Sequence, residues 1–281
     1  MTMKSVWFVL KENLTNFNRI LSISKYETLA DYRESRLGVL WSVFNPLIQI
    51  FTYWIAFGLI MRKGSPATSP TGVGISYLPW MVVGIAVWFF VSPCITKGCN
   101  AIYAKRNIIT KMKFPISILP ATVVFKELFN HIVMIGVVLV LLLLRGHEPN
   151  MLWLQVLYYM FCAVCLCISL GMVTSVLNMF TRDVKKLISA CMRMLMYLSP
   201  ILWPITDVLA SSSSLVRSLE PFIKLNPLYY IIEGYRGSLF YQDPVTMHPS
   251  QTLYFWCVVV GLYVVGSILM YKFKHKFIDM L

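Results

Sequence analysis

Four polar side chains interrupt a long apolar stretch near the start of the chain. No charged residue occurs in the 25 positions between Arg36 and Arg62, and a helix of that length spans about 37 Å, enough to cross a hydrocarbon core of about 30 Å. The polar residues recur at steps of three, four and three, which places them on one narrow helical face. Because unpaired polar groups are costly against lipid, this face is expected to meet a partner helix or a polar path. Spacing alone leaves both alternatives open for Ser42, Asn45, Gln49 and Thr52.

Ionisable residues inside the other apolar stretches are the next candidates for function. Lys126 and Glu127 are adjacent charges of opposite sign within one such stretch, where an ionisable group is a functional candidate by default. A structural ion pair or a position near the interface explains them equally. Arg193 lies in a later stretch, seven residues beyond Lys186, so its guanidinium either snorkels back to the interface or faces a path.

Recognisable catalytic motifs are absent from the sequence. No glycine is followed by lysine, which excludes a P-loop, and the HExxH and GxSxG motifs do not occur. The four histidines are scattered, and the CxxC pair Cys162–Cys165 lies within an apolar run, where small residues usually serve packing. No catalytic residue and no metal site are therefore predicted. The pattern favours a transport protein that lacks its own energy-converting domain.

Composition places the chain in the membrane. It has 281 residues, of which 58% are hydrophobic and 13% are charged, whereas soluble domains average about 25% charged residues. We expect one all-α integral membrane domain, residues 1–281, with six transmembrane helices. The predicted spans are residues 37–61, 77–96, 116–144, 151–180, 187–206 and 251–271.

Three segments outside the spans carry their own predictions. Apolar residues at steps of three and four in the segment 1–36 indicate an amphipathic helix in the membrane interface, with docking on a partner protein as the alternative. The basic stretch Asn100–Met112 predicts a short helix along the membrane surface. Residues 207–243 are too polar to span and too apolar for a free loop, and they predict two short re-entrant helices on the outer side. Asn226-Pro227 reads as an N-cap followed by proline at the first helical position.

The distribution of basic residues predicts the orientation. Lys and Arg number 17 on the side of the two termini and six on the other side. The positive-inside rule then places both termini in the cytoplasm. It also accounts for the net charge of +13 without a nucleic-acid partner.

Five sequence motifs, taken in order, resemble a known family. They are LGVLWSVFNPLIQIFTYWIAFGL (37–59), WFFVSPCITKGCNAI (88–102), MKFPISILP (112–120), SPILW (199–203) and NPLYYIIEGYRGSLF (226–240). In this order they resemble the membrane subunit of type-2 ABC exporters of cell-surface polysaccharides, and within that family the permeases for teichoic acid match best. The resemblance covers nearly the whole chain.

The resemblance implies a permease, not an enzyme, in the bacterial plasma membrane. The implied assembly is a homodimer of six-span subunits with two copies of an ABC ATPase, which holds the ATP and magnesium; this chain holds no cofactor. The implied cargo is a lipid-diphosphate-linked wall teichoic acid polymer, flipped or threaded to the surface for cell wall biogenesis. Export of O-antigen or capsular polysaccharide is the alternative. A membrane-embedded transferase acting on lipid-linked sugars is a distant one.

The resemblance also assigns candidate roles to residues of this chain. The polymer would enter beside Arg33 and Arg36. The candidate pathway residues are Trp41, Ser42, Phe44, Asn45, Gln49, Thr52, Tyr53, Arg193 and Tyr197. The candidates for a coupling helix that contacts the ATPase are Asn100, Tyr103, Lys105, Arg106 and Ile109. The candidates for an external gate are Asn226, Pro227, Tyr230, Glu233 and Arg236.

Overall fold

The computed structural model describes residues 2–33, 36–62, 65–68, 74–109, 114–210 and 213–274. Two helices, α1 (Thr2–Thr15) and α2 (Phe17–Arg33), precede the first span. Helix α2 continues through the charged residues that follow Lys25 and ends at Arg33. Polar bonds dock α2 on the bundle: the Ser24 hydroxyl donates to the Thr122 carbonyl at 2.8 Å.

Among the described residues, five helices are long and apolar enough to cross a membrane, namely Trp41–Met61, Tyr77–Cys99, Ile116–Leu144, Met151–Phe180 and Pro249–Phe273. Their bounds lie within a few residues of five of the predicted spans. The first consists of a 3₁₀ turn (Gly38–Leu40), α3 (Trp41–Tyr53) and a π-helical end (Trp54–Met61). Two antiparallel strands of two residues each, β1 (Ala67–Thr68) and β2 (Gly74–Ile75), pair in the loop that follows this span.

The second span, α4 (Tyr77–Cys99), forms the centre of the bundle. It packs against α7 (Leu119–Leu144), α8 (Gln155–Phe180) and α9 (Asp183–Leu198). Large side chains such as Trp80, Met81 and Phe90 are almost fully buried in this core, because α4 is apolar on all its faces. Turns of 3₁₀ helix precede α7 (Ile116–Ile118) and α8 (Met151–Leu154).

The surface segment between α4 and α7 differs from the single helix that we expected. It contains two single turns, α5 (Ala101–Ala104) and α6 (Arg106–Ile109), which are separated at Lys105. The remainder of the predicted helix, residues 110–112, lies outside the described residues.

The fifth predicted span, residues 187–206, is not one continuous helix. Helix α9 ends at Leu198, and the chain turns through Ser199, which is extended at φ −82° and ψ 149°. The cause is Pro200, because proline disfavours the α conformation of the residue before it. Helix resumes at α10 (Ile205–Leu209), so a sixth crossing stays a prediction.

The segment before the last span consists of short helices, α11 (Ser214–Arg217), α12 (Glu220–Leu225) and α13 (Pro227–Arg236), with a π-helical extension, Gly237–Tyr241. The predicted N-cap is confirmed, since the Asn226 side chain accepts a hydrogen bond from the Leu228 amide at 3.0 Å. All residues of α13 except Pro227 and Glu233 are buried. A 3₁₀ turn (Val245–Met247) leads into α14 (Pro249–Phe273).

Candidate functional site

A groove of about 520 Å³ runs between α3 and the rest of the bundle. Three of the four predicted polar residues line it, namely Ser42, Asn45 and Gln49. The fourth, Thr52, is exposed and donates its hydroxyl to the Ile48 carbonyl at 2.9 Å. Within this chain the polar face of α3 therefore meets an open groove.

Aromatic rings form much of the groove wall. Trp41 and Tyr53 come from α3, and Trp88 and Phe89 come from α4. The Tyr53 hydroxyl lies 3.7 Å from the sulfur of Met196 on α9, which is one of the few bonds between α3 and another span. The predicted Phe44 stacks edge-on against Trp41 at 6.5 Å between centroids and is outside the groove lining.

One more aromatic residue of the groove comes from helix α2, which precedes the first span. The phenol of Tyr32 lines the groove and donates to Asn130 Oδ1 at 3.2 Å. Burial raises the pKa of Tyr32, so this phenol is a protonated donor at neutral pH. No sequence pattern indicates that a residue before the first span reaches this wall.

An ion pair closes one side of the groove. Lys97 Nζ lies 2.7 Å from Glu127 Oε1, and the Glu127 side chain is only 6% exposed. The neighbouring Lys126 pairs instead with Asp31 of α2 at 2.7 Å. Lys126 and Glu127 are therefore both ion-paired, but each with a different residue and not with its neighbour. Sequence reasoning missed Lys97, near the end of α4, as the partner of Glu127, which lies about two turns into α7.

The basic candidates flank the groove without lining it. Arg193 is exposed on α9, and Tyr197, one turn further, is 59% exposed. The groove instead receives Met196 from that helix. Arg33 and Arg36 are both exposed at the connection between α2 and α3.

The coupling-helix candidates are tied to their own chain by several contacts. The Tyr103 ring lies between the guanidinium groups of Arg106 at 4.6 Å and Arg182 at 4.5 Å. Lys105 forms an ion pair with Glu27 of α2. The Asn178 side chain donates to Asn100 Oδ1 at 3.4 Å, and Ile109 is buried. The segment therefore connects α2 with the α8–α9 turn.

The external-gate candidates cluster around the break after α9. Arg236 is fully buried, and its guanidinium donates to the carbonyls of Pro200 at 2.5 Å and Ile201 at 2.9 Å. It also pairs with Glu233 at 2.7 Å and lies 3.4 Å over the Trp80 ring. A Cβ on Gly84 would collide with it. Arg236 thus anchors the break to α13 and α4 and does not face solvent.

Other candidates at the outer end take different positions. Asn226 donates to the Ser199 hydroxyl at 3.0 Å, which joins the start of α13 to the same break. Tyr230 is buried and lies 2.9 Å from the Thr252 hydroxyl. Within the described residues, no group of three or more His, Cys, Asp or Glu side chains is arranged to hold a metal ion.

Comparison with known proteins places this geometry in context. Residues 18–240 match the family described as ABC-2 type transporter. The chain is similar to the O-antigen export system permease protein RfbA of Klebsiella pneumoniae, with 27% identity over 266 residues that cover 94% of this chain and 95% of that protein. It is also similar to the protein of the same name from Myxococcus xanthus, with 28% identity over 216 residues that cover 76% of this chain and 79% of that one.

Proposed function

The chain belongs to the ABC-2 type transporter family, and from that premise we propose that it is the membrane permease of an ATP-driven exporter of a lipid-linked cell-surface polysaccharide. The family match covers residues 18–240, which include the first span, the surface segment α5–α6 and the buried helix α13. Transport, not catalysis, is the activity proposed for this subunit.

The groove beside α3 is the observation that carries the proposal. Its wall alternates aromatic faces, such as Trp41 and Tyr53, with neutral hydrogen-bonding side chains, such as Asn45 and Gln49. Sugar rings present C–H faces that stack on aromatic rings and hydroxyls that bond to amides. Such a wall suits a repeating chain that slides, because each contact is modest and none holds one unit tightly.

The charges of the groove favour O-antigen or a similar sugar polymer over teichoic acid as cargo. The basic side chain in its lining, Lys97, is paired with Glu127 at 2.7 Å, so little positive charge remains to attract a phosphate in every repeat. Arg193 lies outside the groove. The relatives named above are O-antigen export permeases, which supports the same choice.

The assembly that we propose has two copies of this chain and two copies of an ABC ATPase, which binds the ATP and magnesium. The exposed side of α3, with Ile48 and Phe51 more than half exposed, is the surface for the second copy. The ATPase would contact the α5–α6 segment on the cytoplasmic side, where both termini also lie. Arg33 and Arg36 would receive the diphosphate of the lipid-linked polymer at the bacterial plasma membrane.

Deletion of the gene tests the function and separates the two cargoes. We expect surface polysaccharide, measured by sugar composition of washed cells, to be lost while lipid-linked polymer accumulates inside. Cell-wall phosphate should stay at the wild-type level, and a plasmid copy of the gene should restore export. A fall in wall phosphate with unchanged surface sugar would instead identify teichoic acid as the cargo. Wild-type levels of both polymers would refute the proposal.

A further inference from the structure

A second cavity lies at the end of the bundle opposite the interfacial helices. It encloses about 510 Å³, within the size range of small-molecule sites, and it lies beside Gln251 at the first turn of α14. Helix α1 packs at the other end of α14, where the Phe8 and Tyr271 rings are 5.4 Å apart. Since Gln251 and Tyr271 are 20 residues apart on α14, the cavity and α1 are separated by roughly 30 Å. The cavity therefore opens on the side that the charge distribution predicts to be external.

Tyrosine rings form the floor of this cavity. Tyr159, Tyr229 and Tyr230 line it, and each is less than 10% exposed. The Tyr159 and Tyr230 rings meet edge to face at 5.3 Å between centroids. Gly234 lies directly against the Tyr159 ring, so closely that a Cβ would overlap it. The glycine thereby lets α13 rest on an aromatic surface.

Polar side chains form the mouth above that floor. Gln242 is exposed, and Gln251 is partly exposed beside it. Their amides offer both donors and acceptors. Gln242 has a φ of +52°, a conformation that non-glycine residues seldom adopt and that tends to occur at functional sites.

The loop that carries the mouth is fixed by one side chain. Gln155 of α8 donates through Nε2 to the Asp243 carbonyl at 3.0 Å, and its Oε1 accepts from the Val245 amide at 2.8 Å. The Asp243 amide in turn donates to the Gly237 carbonyl at 3.1 Å. A loop held in this way presents its side chains without an ordering cost on binding.

Each acidic or basic side chain in the lining has a close partner. Asp243 Oδ2 lies 2.7 Å from His248 Nε2, and Glu233 pairs with the buried Arg236 at 2.7 Å. Lys224 pairs with Glu220 at 2.6 Å. The cavity therefore has no excess of positive charge for a phosphate, and it suits an uncharged ligand rich in hydroxyl groups.

We propose that this outer cavity is a carbohydrate-binding subsite, which holds a neutral sugar residue of the polymer after it has left the groove. The tyrosine floor would stack against the sugar ring, and Gln242 and Gln251 would bond its hydroxyls. The inference rests on the proposed polysaccharide cargo, and it adds a specific binding position at the outer end of the permease.

The test uses the full-length chain with its ATPase in lipid nanodiscs. The probe is the oligosaccharide released by mild acid from the surface polysaccharide of the cells that carry this gene, and saturation-transfer NMR measures its dissociation constant. Gln251→Ala and Gln242→Gly remove one amide each, and each should raise the dissociation constant about fivefold, the effect of one neutral hydrogen bond. Ser250→Ala and Thr246→Ala are the controls, since both residues are exposed neighbours outside the lining.

Melting temperatures of all four variants accompany the binding data, so that a folding defect is not read as lost affinity. Equal affinity of wild type and both glutamine variants would overturn the inference, as would the absence of binding to the wild type. Tighter binding of glycerol phosphate than of the oligosaccharide would overturn the assignment to neutral sugars. The gene-deletion experiment measures export alone, so it can succeed while this inference fails.

Discussion

The first two spans have similar apolar composition but opposite surroundings. Only 11% of the apolar stretch Trp41–Met61 is buried, whereas 78% of the stretch in α4 is buried. Polar side chains on the first span face the groove, and α4 fills the core with residues such as Trp80 and Met81. The difference shows that α4 holds the fold together, while α3 leaves most of its surface outside the core. Substitutions on the two helices should therefore affect different measurements.

The largest loss of stability should follow removal of the contacts that join α13 to α4 and to the break after α9. Arg236→Met would leave Glu233 and the carbonyls of Pro200 and Ile201 without their partner over the Trp80 ring. Removing one partner of a buried ion pair costs about 3–5 kcal/mol. We expect loss of most folded protein, measured by size-exclusion chromatography in detergent. Arg217→Met, on exposed α11, is the matched control, and equal yields from both variants would contradict the anchoring role.

A smaller loss is expected at the inner end of α4. Lys97→Met leaves the buried Glu127 carboxylate without its ammonium partner at 2.7 Å. Because the Lys97 side chain is 56% exposed, water compensates in part, and we expect a loss of about 1–2 kcal/mol in stability.

The double variant Lys97→Met with Glu127→Gln should recover most of that stability, because it removes the unpaired charge. Thermal unfolding in detergent measures both variants. Lys186→Met, whose pair with Asp183 is highly exposed, should show almost no loss. A double variant that is less stable than Lys97→Met would contradict the explanation that the unpaired Glu127 charge causes the loss.

The smallest effect on stability should occur on α3. Gln49→Leu keeps the approximate size of the side chain and removes its amide from the groove. The free energy of unfolding should therefore change by less than about 0.5 kcal/mol. Export should nevertheless fall about tenfold, which corresponds to about 1.4 kcal/mol in the transport barrier. Thr52→Val, on the same helix but outside the groove, should export normally. If Thr52→Val and Gln49→Leu reduced export equally, the groove would lose its assigned role.

The sequence was sufficient to predict what depends on periodicity and hydropathy. Five spans and the shared face of Ser42, Asn45 and Gln49 could be predicted because apolar length and helical spacing are local properties. Apolar composition did not predict depth in the bundle, since lipid and protein core favour the same side chains. Apolar composition also failed to predict the break in the stretch 187–206. That stretch is apolar on both sides of Pro200, although its helix ends at Leu198.

Contacts between distant residues could not be predicted in the same way. The pairing of Lys97 with Glu127 joins positions 30 residues apart, and neither residue has a local pattern that names the other. Arg236 was a gate candidate because of the family resemblance, yet its guanidinium is paired inside the protein. The outer cavity likewise brings together residues of α8, α13 and the loop before α14, which no single motif contains.

The attachment of the first span has a mechanical consequence. The first span begins just after a turn at Gly38, whose φ is +52°. At the other end of the span, the Arg62 guanidinium is bonded to Asp207 at 2.6 Å and to the Pro66 carbonyl at 2.9 Å. Between these points Pro46 removes one backbone hydrogen bond. Side-chain bonds therefore hold the span at its Arg62 end, and Pro46 interrupts its hydrogen bonds near the other end. The helix bends most easily at Pro46, so its Gly38 end can tilt while the Arg62 end and the core stay in place.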